Sequence, residues 1–172
     1  MSEYSTCYTL YLTTNSVPNQ NELSPISNAN LANVSWIVDW DVLFSNEQPK
    51  YKHCRLRYEF QTQNKATSSN WDTYLGYLTC NLASNHQGTT GMGTVIGLLY
   101  YTFKINYSAG RVGTECTQFE INTMNTAGID IVVPRGRDIL NIKLMNDDGF
   151  TEFNQHQQNW QILMQFELYN EE

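Results

Sequence analysis

Charge is what this sequence has least of. Asp, Glu, Lys and Arg make up 16% of its 172 residues, against roughly 25% in an ordinary soluble domain. Only ten residues are Lys or Arg, against 17 Asp and Glu, and the formal net charge is −7. The basic residues are scattered apart from Lys50–Arg57 and Arg135–Arg137. A nucleic-acid binder neutralises phosphates with a basic patch. Nucleic acid and anionic membrane are therefore not expected as partners.

Long apolar runs are missing too. Nothing approaches the roughly 18–20 residues of a membrane span. The opening Met1-Ser-Glu-Tyr has neither a basic start nor an apolar stretch. No signal peptide is expected, and the chain reads as made in the cytosol with reduced thiols.

The residues of most catalytic and metal sites are few and dispersed. Cys7, Cys54, Cys80 and Cys116 form no closely spaced pair, and a zinc site needs clustered ligands. Only His53, His86 and His156 could serve as acid–base groups near neutrality. His53 adjoins Cys54, but neighbours in a strand point to opposite faces, which argues against a catalytic pair. Gly88–Gly93 lacks the lysine and following helix of a phosphate loop. Asp147-Asp148-Gly149 reads as a hairpin turn rather than a calcium loop. Asp39, Asp41 and Asp130 could add oxygens to it only if the fold brought them near. No catalytic residue, metal or cofactor is expected, and the chain is not read as an enzyme.

What remains is abundant and consistent. Apolar residues make up 41%, and aromatics 13% with eleven Tyr, seven Phe and four Trp. No 3.6-residue apolar period lasts the length of a helix, whereas two-residue alternation recurs. The predicted strands are 7–13, 33–40, 51–63, 76–83, 94–106, 114–123, 128–133, 139–146 and 159–169. Their inward sets include Tyr8, Leu10 and Leu12; Val34, Trp36 and Val38; and Cys54, Leu56, Tyr58 and Phe60. Residues 15–30 read as a long loop and 63–74 as a polar loop carrying Trp71. Asp41 is placed to cap one helical turn ending at Phe44. One antiparallel domain over 1–172 follows, a β-sandwich of about eight or nine strands. A single jelly roll is the commonest eight-stranded form.

Two groups of residues are candidates for contact with partners. Thr94–Asn106 is apolar at both alternating sets of positions, which marks a strand buried on both faces. Ile96, Leu98, Tyr100 and Tyr101 are the candidate interface, covered by a loop or by another subunit. Trp71, Tyr74, Phe150 and Phe153 are candidate loop aromatics, able to stack on a sugar or anchor a protein.

The run Val34-Ser-Trp-Ile-Val-Asp-Trp-Asp-Val-Leu-Phe44, followed by Tyr51-Lys-His-Cys-Arg-Leu-Arg-Tyr58, resembles small jelly-roll structural proteins of eukaryotic double-stranded DNA viruses. These are minor capsid proteins of large algal and amoebal viruses, polinton-like viruses and virophages. Val132–Arg137 and Trp160–Tyr169 extend the resemblance. It implies a virion structural protein made in the host cytoplasm: a minor capsid, cement or penton-like subunit. The implied partners are its own copies, as a trimer or pentamer, and a major capsid protein. No catalytic residue carries over. The alternative is a carbohydrate- or receptor-binding module, with a glycan as partner through the loop aromatics.

Overall fold

The structure is a computed structural model that describes residues 5–16, 18, 22–27, 29–62, 71–82, 95–104, 120–145 and 159–170, with only the backbone along 71–76 and 95–104. Ten strands form two sheets. The first contains β1 (Thr6–Thr13), β2 (Glu22–Leu23), β4 (His53–Thr62), β7 (Glu120–Asn122), β8 (Ile129–Ile131) and β10 (Trp160–Tyr169). Its order is β2-β1-β10-β4-β7, with β8 also on β4. The second contains β3 (Asn33–Asp39), β5 (Trp71–Cys80), β6 (Val95–Lys104) and β9 (Arg137–Met145), in the order β3-β9-β5-β6.

The pairings are nested. β1 pairs with β10, β3 with β9, β4 with β7 and β8, and β5 with β6, all antiparallel. This is one long hairpin wrapped over itself into two facing sheets, the jelly roll. Only β1 and β2 run parallel, over two residue pairs.

The core follows from alternation. In β10 the side chains of Trp160, Ile162, Met164, Phe166 and Leu168 are buried and those between are half-buried. β4 alternates in register beside it, with Cys54, Leu56, Tyr58 and Phe60 buried. From the second sheet come Val34, Trp36 and Val38 on β3, Leu78 and Cys80 on β5, and Leu140, Ile142 and Leu144 on β9. Trp36 meets Trp160 edge-on at 5.6 Å between ring centroids. Both indole N–H groups are satisfied, donating to the carbonyls of Thr13 at 3.2 Å and Leu31 at 2.7 Å. Unpaired buried donors there would be costly.

The helical turn α1 spans Trp40–Leu43, one residue earlier than the sequence suggests. Its cap is Asp39, not Asp41. Asp39 is extended, so its Oδ1 accepts from the Val42 N–H at 3.1 Å. The Asp41 carboxylate accepts instead from Gln48 Nε2 at 2.9 Å and from the Gly136 N–H at 3.0 Å. It thereby ties the turn to the start of β9. β5 begins at Trp71, so Trp71 and Tyr74 lie in a strand rather than a loop.

The strand opposite β4 is interrupted. Between β7 and β8, the Thr123 hydroxyl accepts from the Tyr58 N–H at 2.7 Å and donates to the Tyr58 carbonyl at 3.0 Å. Gly128 then returns the chain to β4 at φ +77. A Cβ there would sit 2.8 Å from the Leu56 carbonyl oxygen and from Arg55 Cγ. Gly136 also has a positive φ, +67, but nothing within 4 Å of its missing Cβ. Gly136→Ala should therefore cost only the left-handed backbone penalty, about 1–2 kcal/mol. Gly128→Ala should cost about 3 kcal/mol, since overpacking adds to it. Urea unfolding of both variants measures the gap, and equal midpoints would contradict the crowding at Gly128.

Candidate functional site

With one face of each sheet spent on the core, interaction is left to the outer faces and the edges. The two outer faces differ. On the first sheet, β4 and β10 place Arg55, Arg57 and Glu167 side by side through the register Arg57↔Gln165 and Arg55↔Glu167. Arg57 Nη1 donates to Glu167 Oε2 at 2.9 Å, and Arg55 lies 3.7 Å from the same oxygen. Arg55 also reaches Asp130 at 3.4 Å and sits 4.7 Å above the Tyr169 ring. The Tyr169 hydroxyl donates to Asp130 at 3.1 Å, and His53 stacks on Tyr169 at 5.2 Å. The two arginines of the basic run read in the sequence are thus neutralised within their own sheet.

On the second sheet one exposed aliphatic pair lies among polar ones, between Ser35↔Asn141 and Asp39↔Arg137. Ile37 and Ile139 are cross-strand partners and are 42% and 49% exposed. Val42, on α1, is 73% exposed. Beside them Leu10, Leu23, Ile37, Val42 and Leu43 line a shallow groove of about 360 Å³. Further along this face Thr79 and Met145 are each only 4% exposed within the single chain.

Edges decide where another chain can add. In the first sheet the edges are β2, two residues long, and the short β7 and β8. In the second sheet β3 is partly covered, because Ser27 bridges to Ser35 and the Ile26 N–H donates to the Ser35 carbonyl at 2.8 Å. The remaining edge is β6, ten residues long, with no strand beyond it among the described residues. β6 holds all four candidate interface residues, Ile96, Leu98, Tyr100 and Tyr101. The register also brings the two candidate groups together, since Tyr74 is the cross-strand partner of Tyr101. Trp71 lies at the far end of the same ladder, opposite Lys104. Phe150 and Phe153 fall outside the described residues.

The three aspartates singled out in the sequence are each placed by the fold. Asp39 caps α1, Asp41 is held by Gln48 and Gly136, and Asp130 is engaged with Arg55 and Tyr169. They do not converge, and no cluster of three or more His, Cys, Asp or Glu is placed to hold a metal among the described residues. No helix among them is long and apolar enough to cross a membrane. Cys54 lies in the core while His53 faces outward, as the alternation requires. Burial pushes the Cys54 and Cys80 thiols up to about 12.

No protein-family model matches the chain, and no curated protein does. Among solved structures it aligns with one titled Desmodium yellow mottle tymovirus, at 12% identity and a TM-score of 0.34, covering 99% of this chain and 89% of that one. The jelly-roll assignment rests on the nested strand pairing.

Two measurements test this description. Alkylation of the native chain near neutral pH should label exposed Cys7 and spare Cys54 and Cys80 until denaturant is added, because only a thiolate reacts readily. Rapid labelling of either core cysteine would contradict its burial. Glu167→Gln should lower stability by about 1–2 kcal/mol, because it removes the charged acceptor shared by two partly buried arginines. An unchanged urea midpoint would show the network to be dispensable.

Proposed function

We propose that this chain is a virion structural protein, a minor capsid, cement or penton-like subunit that acts by contact with its own copies and with a major capsid protein. The observation that carries this reading is the position of β6. The sequence of this ten-residue strand is apolar at both alternating sets of positions, and it lies at the edge of its sheet among the described strands. Soluble proteins normally blunt such an edge with short strands, charge or a covering loop, and the other three edges here are treated in those ways. Lys104 is the one charged residue within β6. An edge of this kind is suited to burial against another chain.

The jelly roll agrees with this role, since it serves capsid and lectin domains alike. The neutralised Arg–Glu–Asp face of the first sheet argues for contacts that avoid bare phosphate. The resemblance of Val34–Phe44 and Tyr51–Tyr58 to small viral jelly-roll proteins supplies the choice of virion over lectin.

Sedimentation velocity tests the proposal. The wild-type chain should form a discrete oligomer whose interface buries at least ~1,000 Å². Leu98→Lys with Tyr100→Lys should shift it to monomer while leaving the circular dichroism unchanged. A wild-type chain that stays monomeric at high concentration, and does not co-sediment with capsid particles, would overturn the reading.

A further inference from the structure

The chain leaves the first sheet after Ile131 and crosses to the second, where β9 begins at Arg137. The ladder between β4 and β8 runs from Leu56↔Ile129 to Cys54↔Ile131. Past that point the crossover and the segment entering β4 border an open groove of about 670 Å³. Tyr51, Lys52 and His53 line one side, and Val132, Val133 and Arg135 the other. Val132 is 66% exposed, one of the most exposed large hydrophobic side chains of the chain's described residues.

The charge of this groove runs against that of the chain. Acidic residues outnumber basic ones 17 to ten overall, yet Lys52 and Arg135 both line this one groove. Neither forms an ion pair with an acid among the described residues. The groove's own carboxylate, Asp130, is already engaged by Arg55 and by the Tyr169 hydroxyl. Nearby Lys50 is paired with Glu47 and adds little free charge. Among the described residues, two cations without an acidic partner therefore flank an exposed valine, in a chain of net negative charge.

We propose that this groove takes an acidic, extended peptide segment of a partner protein. Its carboxylates would meet Lys52 and Arg135, and an apolar side chain would cover Val132. The edge of β8, with no strand beyond it among the described residues, is too short to continue a sheet but long enough for a short strand to dock. A bare anion would satisfy the cations and leave Val132 in water. This inference stands apart from the virion reading, because it uses neither β6 nor self-association.

The test is fluorescence anisotropy with the full chain and a short labelled peptide that alternates aspartate and valine. A control peptide carries lysine in place of aspartate. The aspartate peptide should bind, weaken with added salt, and lose about tenfold or more in affinity for a Lys52→Glu, Arg135→Glu double variant. The lysine peptide should not bind the wild-type chain. Both substituted side chains are exposed, so the variant is expected to fold, and matching near-UV circular dichroism verifies this. Failure of the aspartate peptide to bind the wild-type chain overturns the proposal. So does equal affinity for the double variant, or a lysine peptide that binds as tightly.

Discussion

The two sheets are held face to face by aromatic rings that reach across the gap between them. Trp36 from β3 lies against Trp160 from β10, and Trp40 from α1 lies 5.4 Å from Phe166, also on β10. Phe44 joins the second group and touches Tyr8 on β1, while Phe60 joins the first. Each large ring removes a great deal of apolar surface from water, and truncating one to alanine typically costs about 3–5 kcal/mol. The tryptophans also demand acceptors for their N–H groups. Those acceptors are the carbonyls of Thr13, at the end of β1, and Leu31, just before β3. The rings thus fix the path of the chain between the sheets as well as the spacing of the sheets.

Once the inner faces are committed, the outer ones have little freedom. In β4 and β10 the residues between core positions must face outward, which puts Arg55 opposite Glu167 and Arg57 diagonally across from it. In β3 and β9 the same rule turns Ile37 and Ile139 outward. Among the described residues, one outer face therefore carries an internally neutralised charge network and the other a single exposed aliphatic pair among polar neighbours.

Alternation was readable wherever it was clean. β3, β4 and β10 match their sequence expectations because the inward positions of each are apolar without a break. The start of β5 was not readable, since Trp71-Asp-Thr-Tyr74 follows a polar stretch and owes its extended form to pairing with β6. The cap of α1 was misplaced because Asp39 and Asp41 are equally good caps by residue type, and only the extended backbone at Asp39 selects it. The candidate residues of β6 were found from their apolar pattern. Their place at an edge depends on strand order, a non-local property that no period in the sequence encodes. The groove beside Val132 was missed for the same reason, as its two walls are some eighty residues apart in the chain.

Among the described strands, one long edge is open and three are shortened or covered. Judged by the described strands, only β6 offers an edge long enough for a full strand to add. Two copies that join β6 to β6 would use up that capacity at once, leaving no site for a third strand-to-strand addition. By the described strands, such pairing is self-limiting. A ring of three or five copies would have to close through the outer faces or sandwich ends, where the exposed pair Ile37 and Ile139 offers a small aliphatic patch.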